Sequence, residues 1–191
     1  MIDAMDVSLR MRRAVHGSVL ADHSCGECEA CTAGSTLWCV APTDEGRDLT
    51  PEVPEDRLAD VAHALLAVAA LREAPTPATV LALGDADGAT AVLARALSSG
   101  RVVVAPDAKT ARDDLADEPT GRAAVVVAGA DARAAVRAVR RGGHVCVPDA
   151  TALLPSVTEL VQREVTLVGP RDVVGVARRV DADLWARLAG A

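Results

Sequence analysis

The 191-residue chain carries 20 basic and 27 acidic side chains, a formal charge of −7, and half of its residues are hydrophobic. That balance fits a globular protein rather than a disordered one, and an acidic surface repels a phosphate backbone, which excludes a nucleic-acid role. Phe and Tyr are absent and Trp38 and Trp185 are the only aromatics, so there is no platform on which single strands could stack. The core must be built from Ala, Val and Leu, small side chains that each bury less apolar area. No apolar run reaches the roughly 18 residues a membrane span needs. The opening MIDAMDVSLRMRRAVHG lacks the uninterrupted apolar stretch of a signal peptide, so a cytoplasmic address is expected. There, clustered cysteines hold metals more often than they form disulfides.

Residues 1–50 read as a small lobe with little periodic structure, dominated by CGECEACTAGSTLWC. The spacing is Cys25-x2-Cys28-x2-Cys31-x7-Cys39. Four thiolates satisfy tetrahedral zinc and leave no open position, so such a site stabilises a loop and does no Lewis-acid chemistry. Two-residue gaps let successive sulfurs converge, and Gly26 and Gly34 let the backbone wrap closely. Free thiols or a [4Fe–4S] cluster share part of this pattern, because iron–sulfur sites also use Cys-x2-Cys-x2-Cys. Asp22, His23 and Ser24 precede the lobe. Three consecutive residues of an extended loop do not face one way, so they read as a polar loop rather than a triad.

Residues 51–74 form a linker and a bridging helix. TDEGRDLTPEVPED, 43–56, is polar and Pro-marked, and residues 54–73 have helical spacing. Pro54 suits the first turn, Glu55 and Asp56 favour its positive end, and Ala62, Leu65, Leu66 and Ala69 make an apolar face.

From residue 75 to 191 strands and helices alternate. Apolar runs fall at 79–83, 101–105, 123–129, 144–148 and 164–169, separated by Ala/Arg-rich helical stretches such as 130–141, closed by Gly142 and Gly143. Val runs between helices predict an α/β fold, a parallel sheet of about five strands covered on both faces. Cys146 lies inside an apolar strand and reads as a buried, inert thiol. Asp85, Asp87, Asp107 and Asp149 fall at the strand C-termini, where doubly wound sheets bind ligands, although loop carboxylates there also serve as caps. Arg137, Arg140 and Arg141 read as a solvated helix end.

The cysteine segment, with Gly34 at its expected glycine, resembles the structural zinc lobe of the zinc-containing medium-chain dehydrogenase/reductase family, the alcohol dehydrogenases among them. TVLALGDADGATAVLARAL is similar to that family's first strand, glycine loop and helix, and RVVVAPD to its second strand. AAVVVAGADARAAVRAVRRGGHVCVPD and VQREVTLVGPR are similar to its later strands. The resemblance implies a reduced Rossmann-type, doubly wound sheet with a structural-zinc lobe at the N-terminus. It also implies homodimers pairing through the strand near Val165–Val168.

Departures from the family pattern carry the functional expectation. The family's catalytic-zinc cysteine and Gly-His-Glu motif lie upstream of the lobe, with no room here, and its third catalytic-metal position falls at Ala62, beside a lone His63. The G-x-G-x-x-G loop maps onto Gly84, Asp85, Ala86, Asp87, Gly88 and Ala89: Ala86 replaces the middle glycine and two aspartates stand near the phosphates. Asp87 is expected to cap the following helix. The ribose-binding acid falls on Pro106, with Asp107 one residue late, and the third strand is missing. No catalytic residue is assigned. The expected function is a zinc-binding, degenerate relative of the alcohol dehydrogenases that has lost NAD(P) binding and hydride transfer, acting as an accessory or binding protein or as a non-redox enzyme. The alternative is an NAD(P)-dependent oxidoreductase completed by a partner chain.

Overall fold

The computed structural model describes residues 9–72, 74, 78–128, 132–147 and 155–190. The chain forms two compact units, residues 1–62 with 171–191, and residues 63–170.

In the first unit β1 (Leu9–Arg13), β2 (Ser18–Asp22) and β3 (Arg47–Asp48) make a three-stranded antiparallel sheet in that order. β2 is buried along its whole length, whereas β1 is exposed from Arg10 to Arg13. This sheet corrects the reading of residues 1–50 as largely aperiodic. The lobe inserts between β2 and β3 as a single-turn helix, α1 (Glu29–Thr32), followed by a 3-10 turn over Thr36–Trp38. Two C-terminal helices, α7 (Val173–Ala177) and α8 (Ala182–Ala189), belong to the same unit. α8 begins at Asp181, whose carboxylate accepts the Leu184 N–H at 2.8 Å, an N-cap of the expected kind. The lobe is tied to this C-terminal segment where Asp172 N–H donates to the Gly34 carbonyl at 2.8 Å.

The bridging helix α2 spans Glu55–Leu71. Pro54 sits just outside it, its carbonyl accepting from Arg57 and Leu58, so it precedes the first turn instead of lying in it. The buried stripe is also wider than the predicted face: Leu58, Val61, Ala64, Leu65, Val68 and Ala69 are at most 1 % exposed, while Ala62 and Leu66 are only half-buried.

The second unit holds a five-stranded, all-parallel sheet in the order β5-β4-β6-β7-β8. The strands are β4 (Val80–Leu83), β5 (Val102–Ala105), β6 (Ala123–Val127), β7 (Val139–Cys146) and β8 (Thr166–Val168). α3 (Ala89–Leu97), α5 (Ala132–Ala138) and α6 (Val157–Arg163) are its main helices. The order reverses at β4, as in a Rossmann sheet, so the predicted fold class stands. The chain steps outward from β4 to β5 and then back across β4 to β6, the return holding no helix longer than the four-residue α4 (Ala111–Asp114) and a 3-10 turn over Pro119–Gly121. Val, Leu and Ala fill both faces of the sheet.

One boundary departs from the sequence reading. The helix predicted over 130–141 ends at Ala138, and Val139 enters the sheet opposite Ala123. Arg140 and Arg141 therefore belong to β7, and Arg141 pairs with Glu164 at 2.8 Å. Gly142, at φ 71°, makes the irregularity that returns the strand to register.

Candidate metal centre and the loop after β4

The four cysteines converge. Their sulfurs all lie within 4.8 Å of one another. Cys25–Cys39 and Cys28–Cys31 are 3.5 Å apart, and Cys25–Cys31 3.9 Å. With Zn–S bonds of about 2.3 Å, ideal tetrahedral geometry separates sulfurs by about 3.8 Å, so the set is the right size for one zinc ion. Backbone N–H groups support it from outside: Cys25 N–H donates to the Cys39 sulfur at 3.3 Å and Cys28 N–H to the Cys25 sulfur at 3.4 Å. Such donors favour thiolates. The Cys31 N–H, with that of Val40, pulls the Cys28 thiol down to about 6. Desolvation pushes Cys31 up to about 12. A dication held here would displace the proton of Cys31, which would make metal uptake proton-linked. Among the described residues this is the one group of three or more His, Cys, Asp or Glu side chains placed to share an ion. The chain can hold zinc here.

The lobe rests on a buried polar floor that the sequence reading missed. Asp22, His23 and Ser24, read as a polar loop, are 3 %, 8 % and 6 % exposed, so these polar groups are buried. Asp22 accepts from Ser24 N–H at 2.9 Å and faces Arg47 at 3.4 Å. His23 Nδ1 lies 2.9 Å from the Thr43 carbonyl. A Cβ at Gly46 would collide with the His23 ring, so glycine is required there. The signal was the short apolar run SVLA just before Asp22. Trp38 flanks Cys39 and is 74 % exposed, in contrast to Trp185 at 9 %.

The second candidate region is the loop after β4. Gly84 has φ 146°, a conformation open to glycine. Its N–H donates to the Ala105 carbonyl at 2.9 Å, closing β4 onto β5. From there the loop bonds to itself. Asp87 N–H donates to the Asp85 carboxylate at 3.2 Å, Gly88 N–H to the Asp85 carbonyl at 3.1 Å, and Arg95 Nη1 to the Ala86 carbonyl at 2.8 Å. The N-cap of α3 is Gly88, without a side-chain cap. Asp87 therefore does not cap the helix. Asp85 instead forms an Asx-type turn that takes up the Asp87 amide.

Asp107 is also committed locally. Its carboxylate accepts from Lys109 N–H and Thr110 N–H, both at 2.8 Å, and from the Thr110 hydroxyl at 3.1 Å. The Thr110 N–H above all holds its pKa below the usual carboxylate range. Asp149 lies outside the described residues. His63 is half-buried on α2 and belongs to no group of three or more metal-type ligands among the described residues. Cys146 is fully buried, and desolvation pushes its thiol up to about 12, which leaves it inert at neutral pH.

No protein-family model matches the chain, and no curated protein sequence does. Solved structures do. The alcohol dehydrogenase TADH of Thermus sp. ATN1 is 17 % identical at a TM-score of 0.53, with 92 % of this chain and 67 % of that one covered. An alcohol dehydrogenase of Thermotoga maritima is 19 % identical at 0.52, covering 92 % and 71 %. An acetophenone reductase of Geotrichum candidum, solved with NAD, is 17 % identical at 0.55, covering 87 % and 64 %. The chain thus shares the fold of these alcohol dehydrogenases and this reductase and spans about two thirds of their length. None of its helices, among the described residues, is long and apolar enough to cross a membrane.

Proposed function

We propose that this chain is a zinc-carrying member of the alcohol dehydrogenase fold that does not transfer hydride by itself, and that serves as an accessory or binding protein or in non-redox chemistry. The observation that carries this reading is the self-bonded loop: Asp85 takes the Asp87 amide with its carboxylate and the Gly88 amide with its carbonyl. A pyrophosphate needs such amides and a bare helix N-terminus. It would also meet the Asp85 and Asp87 carboxylates. At about 5 Å and an effective dielectric near 20, each like-charge contact costs roughly 3 kcal/mol before screening. Cys25, Cys28, Cys31 and Cys39 are the proposed zinc ligands, in a structural role. The zinc-loaded chain is expected to show no turnover of primary or secondary alcohols with NAD or NADP; metal-dependent production of NADH or NADPH would refute the proposal.

A second reading has support of its own. The neighbouring folds are dehydrogenases and reductases, one of them solved with NAD. On this reading the chain is part of an NAD(P)-dependent oxidoreductase, completed by a partner. β8 is the outermost strand of its sheet, and Leu167 on it is 37 % exposed. An open edge of this kind supports the further proposal of a homodimer through β8. A monomeric mass at micromolar concentration, measured by sedimentation, would count against it.

A further inference from the structure

Three neighbouring strands of the parallel sheet each begin just after an arginine. Arg122 immediately precedes β6, Arg137 in the last turn of α5 leads into β7, and Arg163 ends α6 before β8. β6, β7 and β8 are consecutive and parallel, so the three arginines stand at one edge, that of the strand N-termini. Adjacent strands lie about 4.8 Å apart, and three strand starts span roughly 10 Å. That is a width guanidinium groups can bridge through one tetrahedral oxyanion, with N–H···O contacts of about 2.8 Å on either side.

The side chains are gathered there. Arg163 is half-buried, and its Nη1 donates to the Val136 carbonyl at the end of α5 at 2.8 Å. Ala123 pairs with Val139, which puts Arg122 level with that same helix end. Burial, together with the charges of Arg122 and Arg137, pushes the Arg163 pKa down against the opposing charge of Glu159. The counter-charge is small. Glu159 is shared between Arg133 and Arg137, each at 3.3 Å, and Glu164 is paired with Arg141 at 2.8 Å. Arg122 makes no ion pair among the described residues. Stabilisation of a helix C-terminus accounts for Arg137 and Arg163, but not for Arg122, which begins a strand. In a chain of net charge −7, Arg122 is thus a guanidinium without an ion pair beside two others, and an anion would offset their mutual repulsion.

We infer that Arg122, Arg137 and Arg163 form a binding site for a dianionic phosphate group, either free phosphate or the phosphate of a small monoester. Planar, permanently charged guanidinium groups match its oxygens in geometry and charge. The site lies at the sheet edge opposite the loop of Gly84–Gly88 and is independent of how that loop functions.

The test is calorimetric titration of the full chain with inorganic phosphate and with phenyl phosphate, at ionic strength fixed with sodium chloride. Arginine Nε–H NMR spectra are followed in parallel. Saturable binding with a dissociation constant below about 1 mM is expected, with shifts confined to Arg122, Arg137, Arg163 and Arg133. Tighter binding of phenyl phosphate identifies a monoester site, and equal or tighter binding of inorganic phosphate a site for the free anion. Because Arg163 also braces Val136, the deciding variant is Arg122→Glu, checked for native circular dichroism. It should weaken binding by about tenfold or more. Phosphate that behaves like chloride, or Arg122→Glu that binds like the parent chain, overturns the inference.

Discussion

The cysteine lobe and the glycine loop after β4 are built alike, as short glycine-bearing turns that open into a helix, and they point their donors in opposite directions. In the lobe, backbone N–H groups of Cys25 and Cys28 back the sulfurs, and the four sulfurs converge on one point. In the β4 loop, the amides of Asp87 and Gly88 turn inward onto Asp85, and Arg95 holds the Ala86 carbonyl. One turn aims its sulfurs at a common point; the other is bonded to itself. The difference rests on a few atoms. A motif's outline survives Ala86 and Asp85, but its chemistry depends on which groups remain unbonded.

The largest effect should come from breaking the lobe. Cys28→Ser is expected to release the metal and expose the amides of residues 20–45 to hydrogen exchange, because a structural zinc contributes on the order of 10 kcal/mol to the fold it organises. The sheet of residues 63–170 should stay protected, and its simultaneous loss would show that the two regions are one cooperative unit.

Next in size is the core beneath the loop. Leu81 in β4 is 1 % exposed, and Leu81→Ala should cost about 2–5 kcal/mol while the zinc content stays at one per chain. Denaturant unfolding followed alongside zinc release separates the two. The tryptophans give the same contrast from the lobe's own unit. Trp185→Ala should cost about 3–5 kcal/mol, whereas Trp38→Ala, at an exposed site, should stay within roughly 0.5 kcal/mol; comparable losses from the two would contradict the burial described above.

The smallest effect is one of pH. Glu159 accepts the Ser156 N–H in the capping box of α6 and meets Arg133 and Arg137, and its carboxyl is held down to about 2. A carboxyl whose pKa is depressed in the fold stabilises it fully above the unfolded value. It loses that contribution as pH falls toward 2. Protection of the α6 amides, taken relative to their intrinsic exchange rates, should therefore fall between about pH 4.5 and 2, and Glu159→Gln should flatten the dependence; an unchanged profile in that variant would assign it elsewhere.

Much of this was legible in the sequence for a physical reason. A four-thiolate site is specified by four side chains and their spacing, so Cys25, Cys28, Cys31 and Cys39 could be paired with a metal before any fold was known. The buried strands β4, β5 and β6 are nearly unbroken Val, Leu and Ala and also stood out. β2 did not, because its buried run ends in Asp22, His23 and Ser24, polar groups whose partners include residues far along the chain, Thr43 and Arg47. The end of α5 was missed because Ala and Arg tolerate both states, and tertiary pairing of Val139 with Ala123 decides between them. Asp87 looked like a helix cap by position; Asp85, two residues earlier, reaches its amide first.

We propose that the β4 loop, bonded to itself, does not receive a dinucleotide. The direct measurement is calorimetric titration of the zinc-loaded chain with NADH and NADPH, with Asp85→Gly/Asp87→Gly run beside it. The account predicts no binding by the parent chain at sub-millimolar concentrations. It also predicts measurable binding by the double variant if the adenine side of the crevice is sound, since each aspartate weakens binding by about tenfold even at half the Coulomb cost estimated above. A dissociation constant in the low micromolar range for the parent chain would contradict the account and put the oxidoreductase reading first.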